Sequence, residues 1–200
     1  YGTDGPGTLT YALTLGTEDL GSGLYALNPA NTTTGSYGKG EEILLSTNAA
    51  GDVIGTTGTG ATAKTYFTIH AEASGTNAGK VTFTQEDQSN VWHNTPGDGT
   101  GGEYDEQAVL TAVGTLKLEQ TITDADGDTA SSELDLSKDV FKIEDDGPTK
   151  STVTGTAAAI ILDESPEANP ADLNSTPDGL RTNSADYSVN FTGTPDYGTD

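Results

Sequence analysis

The chain of 200 residues has no cysteine, no methionine, a single tryptophan and few basic side chains. Without cysteine no disulfide can hold the fold together. A secreted domain that lacks disulfides needs another source of stability, for which bound metal ions are one candidate. The chain has eight Lys and Arg residues and 31 Asp and Glu residues, which gives it a formal net charge of −23. Phosphate binding requires a basic face, so nucleic acid is not an expected partner.

Long apolar runs are also missing from the sequence. No stretch of roughly 18 apolar residues occurs, so membrane insertion is not expected. A strongly acidic chain opposes its own compaction unless something neutralises the charge. Two interpretations follow: either the carboxylates form a highly solvated surface, or some of them cluster and hold divalent cations.

Apolar and polar residues alternate with a period of two in many short segments, which is typical of β-strands. Glycine and threonine are abundant, and they favour turns and pleated strands respectively. The apolar faces predicted in this way comprise Leu9, Tyr11, Leu13, Leu15, Phe67, Ile69, Ala71, Val81, Phe83, Leu116, Leu118, Ile122, Leu134, Leu136, Phe141, Ile143, Tyr187, Val189 and Phe191. The pattern predicts an all-β fold, a β-sandwich of the Ig-like or Greek-key type with long acidic loops.

Three aspartates, Asp124, Asp126 and Asp128, surround Gly127 between predicted strands 115–123 and 129–136. Calcium takes six to eight oxygen ligands in irregular geometry, so crowded carboxylates on a hairpin turn suit Ca²⁺ better than Mg²⁺. The spacing resembles the start of an EF-hand loop, but Thr129 stands where that loop needs glycine, which excludes it. The alternative is a metal-free turn in which the aspartates accept hydrogen bonds from backbone amides.

Further acidic residues are candidate metal ligands outside this turn. They are Asp145 and Asp146 in "IEDDGPT", Asp163 and Glu164 in "LDES", and Asp4 in "YGTDGPG". Carboxylates on both sides of a junction between modules can share an ion and stiffen the junction. The alternative is a solvated linker whose charges only keep the chain soluble.

The tetrapeptide "YGTD" occurs at residues 1–4 and again at 197–200, a spacing that indicates one period of a tandem repeat. Residues 1–148 are therefore expected to be the body of one β-sandwich repeat. Residues 149–200 are expected to be an acidic, Pro-rich junction with strands that either open the next repeat or complete this one.

Together, the motifs "TDADGDTA", "FKIEDDGPT", "LDES" and "YGTDGPGTLTYALTL…GSGLY" resemble the repeats of giant RTX adhesins, which Gram-negative bacteria export by type I secretion. The resemblance covers most of residues 1–25 and 108–165. It implies an extracellular β-sandwich module that Ca²⁺ rigidifies, with neighbouring repeats of the same chain as partners and a structural role in cell adhesion and biofilm formation. It also implies that the ligands are Asp124, Asp126, Asp128, Asp145, Asp146, Asp163 and Glu164.

The sequence also bears on two other function classes. A ligand-binding adhesion domain could use Trp92, His93 and Tyr104, with the acidic loop 94–106, to contact a host or surface glycan or a peptide. An enzyme is not expected, because acidic pairs are too common here to indicate catalysis and neither histidine lies in a motif. His70 is predicted to be a surface residue on the strand face opposite Phe67 and Ile69.

Overall fold

The computed structural model describes residues 5–86, 89–94, 107–112, 114–144, 151–160, 162 and 183–193. These residues are almost entirely β-strand and turn, as predicted. The strands are β1 Pro6–Leu15, β2 Leu20–Leu27, β3 Lys39–Thr47, β4 Val53–Thr57, β5 Lys64–Ala71, β6 Val81–Gln85, β7 Ala108–Thr111, β8 Leu116–Asp124, β9 Thr129–Asp135, β10 Lys138–Ile143, β11 Thr152–Val153 and β12 Phe191–Thr192. In this part of the chain the helices are two short 3-10 helices, Gly60–Thr62 and Ser188–Asn190, and neither could cross a membrane.

The chain divides into two compact units, one comprising Tyr1–Gly147 with Thr199–Asp200 and the other Pro148–Gly198. In the first unit, β2 to β6 form a five-stranded antiparallel sheet in sequence order. A three-stranded sheet has the order β1-β8-β9, and β7 pairs with β10. The assignment of residues 149–200 to a junction or to completing strands stays a prediction.

One continuous apolar core lies between these sheets and gives the unit its sandwich-like character. All three sheets contribute buried side chains: Leu13, Leu24, Ala26, Ile43, Leu45, Val53, Tyr66, Phe67, Ile69, Val91, Leu110, Ala112, Leu116, Leu118, Leu136, Phe141 and Ile143. The rings of Phe67 and Phe83 pack edge to face with centroids 5.3 Å apart, and Phe83 lies 5.2 Å from Phe141. This row of rings connects the five-stranded sheet to β10.

A β-bulge explains one core residue that the alternation does not predict. Across β4 and β5, Gly55 pairs with Phe67 while Thr56 pairs with Thr65, so Tyr66 is the extra residue. A bulge lets two successive side chains turn toward the same side. Tyr66 and Phe67 are therefore both buried.

The predicted hairpin around the three aspartates is confirmed. Strand β8 pairs with β9 in unbroken register from Lys117 opposite Asp135 to Thr123 opposite Thr129. The predicted shared face of Leu134 and Leu136 is only half right, because Leu136 is buried whereas Leu134 is 60% exposed. Strand β9 is at the edge of its sheet and all seven of its side chains are exposed, so nothing in the described residues covers Leu134.

The strand predicted from Tyr187, Val189 and Phe191 is wrong. Ser188–Asn190 is a 3-10 helix, and only Phe191–Thr192 is strand, paired with Thr152–Val153. The Asp186 carboxylate accepts a hydrogen bond from the Ser188 backbone N–H at 2.9 Å. Aspartate bonds of this kind favour a turn over an extended strand. The apolar alternation is consequently not buried, and Val189 is 73% exposed.

Candidate metal centre

The hairpin β8–β9 ends in a turn that brings three carboxylates together. One oxygen from each of Asp124, Asp126 and Asp128 lies within 4.8 Å of the others. Two oxygens bound to one Ca²⁺ can lie up to about 5 Å apart, because each Ca–O distance is about 2.3–2.6 Å. The separations therefore fit a shared calcium ion. Asp124 is half-buried and the other two aspartates are exposed, which leaves room for water as further ligands.

Backbone geometry explains why the carboxylates converge. The Asp124 N–H donates to the Asp128 carbonyl oxygen at 3.0 Å and closes the turn. Gly127 has a φ of +99°, a left-handed conformation that most residues with a side chain disfavour. Every second residue of "DADGD" is an aspartate. Because the turn is short and closed, the three carboxylates come close together.

Asp124 also caps the turn without any metal. Its Oδ1 atom accepts hydrogen bonds from the backbone N–H groups of Gly127 at 3.1 Å and Asp128 at 2.8 Å. A hydrogen bond with the Asp126 carboxyl group, together with these backbone bonds, lowers the pKa of Asp124. These are the hydrogen bonds expected of a turn capped by an aspartate. The two backbone N–H groups use Oδ1 of Asp124, so its second oxygen and the carboxylates of Asp126 and Asp128 fit the oxygen chemistry of a calcium site.

The other predicted metal ligands cannot be placed relative to this cluster. Asp4, Asp145, Asp146, Asp163 and Glu164 all lie outside the described residues. Their role as ligands stays a prediction.

The candidate ligand-binding residues are only partly described, since Tyr104 and residues 95–106 lie outside the described ranges. Trp92 is half-buried, and its ring N–H donates to the Tyr37 carbonyl oxygen at 2.7 Å. The Lys39 ammonium lies 3.6 Å from the ring centroid of Tyr25 and 5.0 Å from that of Trp92. Lys39 therefore already lies against one face of the Tyr25 ring. His93 follows Trp92 and is half-buried.

A second polar cluster was not predicted as a site. His70 is exposed, as expected, and its Nδ1 lies 2.6 Å from Oδ1 of Asp52. Its Nε2 lies 3.9 Å from Oε1 of Glu72. The hydrogen bond with Asp52 raises the pKa of His70 and lowers that of Asp52. The spacing His70-Ala71-Glu72 on a strand could have indicated that the imidazole and a carboxylate share a face.

The fold and the acidic turn define an all-β domain that displays a carboxylate cluster at the end of a hairpin. Residues 1–137 match a family described as a domain of unknown function, DUF5801, and the chain belongs to this family. The chain matches no curated protein and no solved structure.

Proposed function

We propose that this domain is a calcium-stabilised structural module of a secreted bacterial surface adhesin, and not an enzyme. The observation that carries the proposal is the convergence of Asp124, Asp126 and Asp128 on one turn of a chain with a net charge of −23. Neighbouring repeats of the same chain are the proposed partners, and the module acts outside a Gram-negative cell.

Electrostatics explains why an ion matters for such a module. Three carboxylates within 4.8 Å repel one another, and the surplus acidic charge over the chain adds to that repulsion. A divalent cation bound to the folded state alone removes the local repulsion and adds stability. Because the candidate ligands come from the last residue of β8 and from the turn that leads into β9, the ion would fix the far end of this hairpin.

The proposed calcium chemistry and the resemblance to RTX adhesins support an extracellular setting. Extracellular calcium modules commonly bind with a Kd of about 10⁻⁴–10⁻³ M, which suits Ca²⁺ concentrations outside cells. A cysteine-free chain that folds on meeting Ca²⁺ suits export in an unfolded form. The proposed mechanical role is to extend and stiffen the adhesin, in support of adhesion and biofilm formation.

We expect Ca²⁺ to raise the melting temperature of the full chain relative to the chain in a chelator. At a Ca²⁺ concentration about 100 times Kd, one site contributes about 2.7 kcal/mol. For a chain of this size that corresponds to a rise of roughly 5–10 °C. Circular dichroism or differential scanning fluorimetry measures the shift, and Mg²⁺ at the same concentration should give a smaller one. Equal melting temperatures with Ca²⁺ and with chelator would refute the calcium proposal.

The double variant Asp126→Asn/Asp128→Asn tests whether this turn supplies the ligands. It removes two candidate ligand charges and keeps Asp124, which caps the turn. The variant should lose at least part of the calcium-dependent shift. A matched control is Asp19→Asn/Asp139→Asn, since both residues are exposed and have φ values of 55° and 60°, which asparagine tolerates. If variant and control keep the same full shift, the ions bind elsewhere.

The alternative, a carbohydrate- or peptide-binding domain that uses Trp92, His93 and Tyr104, stays a prediction. A glycan and peptide screen in the presence of Ca²⁺ discriminates the two functions. Saturable binding that is lost in Trp92→Ala, with the calcium-dependent melting shift retained, would favour the ligand-binding function. The structural role predicts no saturable binding in this screen.

A further inference from the structure

The outer face of the five-stranded sheet carries a histidine between two carboxylates. Strand β5 holds His70, Glu72 follows directly after it, and Asp52 immediately precedes β4. Residues Val53 and Ile69 pair across β4 and β5, so Asp52 and His70 are neighbours at this end of the hairpin. His70 and Glu72 project from the face opposite the core, and their side chains are 47% and 45% exposed.

Asp52 fixes which ring nitrogen of His70 is free to bind. An ionised carboxylate can only accept a hydrogen bond, so Nδ1 of His70, 2.6 Å from Asp52 Oδ1, carries the hydrogen. Asp52 is itself held by Asn48, whose Nδ2 donates to Asp52 Oδ2 at 3.1 Å and whose Oδ1 accepts from the Asp52 backbone N–H at 3.0 Å. In the neutral ring, Nε2 then carries the lone pair and lies 3.9 Å from Glu72 Oε1.

We infer that His70 and Glu72 form a surface site for a divalent transition-metal ion of the zinc type, with Asp52 as the residue that orients the histidine. Histidines that bind metals usually donate their other ring N–H to a carboxylate or a carbonyl group, which is the arrangement of Asp52 and His70. Imidazole nitrogen together with carboxylate oxygen suits zinc, copper or nickel better than it suits calcium. This site is therefore chemically distinct from the turn of three aspartates.

The distance between the two ligand atoms is close to what zinc requires. Zn–N and Zn–O distances are about 2.0–2.2 Å, so two ligands of a tetrahedral ion lie about 3.4 Å apart. His70 Nε2 and Glu72 Oε1 are 3.9 Å apart, and a small rotation of the exposed Glu72 side chain closes the difference. Two protein ligands leave two tetrahedral positions for water or for a group from another molecule.

The test uses the full chain, labelled with ¹⁵N, and ZnCl₂ as the probe. Excess Ca²⁺ is present throughout so that acidic clusters are occupied by calcium. Two-bond ¹H–¹⁵N correlation spectra report on each ring nitrogen of the two histidines, and isothermal titration calorimetry gives affinity and stoichiometry. We expect zinc to shift the Nε2 resonance of His70 while Nδ1 stays protonated, with one ion per chain.

Variants assign the roles. His70→Gln and Glu72→Gln should each weaken zinc binding at least tenfold, and Asp52→Asn, which keeps both ligands, should weaken it by about 10–100-fold. His93→Gln is the matched control, because His93 is the only other histidine in the chain, and it should bind zinc as the unaltered chain does. Unchanged affinity in His70→Gln, or a zinc response confined to His93, would overturn the inference. Circular dichroism spectra of the variants exclude unfolding as the cause of lost binding.

Discussion

Replacing Phe67 by alanine is expected to destabilise the first unit by about 3–5 kcal/mol, the range for large-to-small changes of a buried aromatic residue. Phe67 is fully buried and its ring packs edge to face against Phe83, which in turn contacts Phe141. The substitution leaves a cavity beside Phe83, the ring that contacts Phe141 of β10, so Phe83 loses the support of its neighbour in the row. Chemical denaturation with and without Ca²⁺ measures the change in the free energy of unfolding.

A phenylalanine that contributes little to packing provides the control for this variant. Phe191 is 59% exposed, so Phe191→Ala removes the same atoms without opening a cavity in the core. Its effect should stay within about 0.5 kcal/mol, as for most surface substitutions. Similar losses in the two variants would mean that the ring of Phe67 does not hold the core together.

Gly55→Ala is the second substitution expected to have a large effect, although it adds only one methyl group. A Cβ atom at residue 55 would lie 2.3–2.7 Å from three atoms of the Phe67 ring. Phe67 is fully buried, so its ring can move away only by displacing other core side chains. Overpacking of this kind costs about 1–3 kcal/mol and sometimes more. Thermal unfolding of the variant measures the effect.

A second alanine variant and a double mutant separate this clash from the general cost of changing a glycine. Gly16→Ala is the matched control, because its Cβ would meet Thr115 at an ordinary distance of 3.4 Å. Adding Phe67→Leu to Gly55→Ala should relieve part of the clash, so the double mutant should be more stable than the sum of the two single effects predicts. Strict additivity, or equal melting temperatures for Gly55→Ala and Gly16→Ala, contradicts the packing explanation.

Much of the strand pattern could be predicted because alternation shows where strands lie and which residues share a face. The hairpin of β8 and β9 lies where the sequence placed it, with Leu116 and Leu118 in the core. Tyr66 was missed because a bulge interrupts the period of two, and bulges depend on the partner strand. Leu134 was misjudged for a related reason: alternation shows that a strand has two faces, but not whether another layer covers either of them.

The two candidate metal sites differ in how far sequence can find them. Asp124, Asp126 and Asp128 lie within five residues, so a turn brings them together and local reasoning suffices. The contact between Asp52 and His70 spans 18 positions and exists only because β4 and β5 pair in one particular register. The register in which two strands pair depends on the packing of the whole sheet, so it cannot be predicted from one sequence alone.

Strand β9 has a consequence for how copies of this domain behave at high concentration. An edge strand with exposed backbone groups and an exposed leucine can recruit the same strand of another molecule and start a fibril. Here Glu133 and Asp135 flank Leu134, so a second copy that approaches this edge brings its own carboxylates against them. We therefore expect these acidic residues to disfavour pairing between crowded copies, Asp135 more than Glu133, since Glu133 is ion-paired with Lys117.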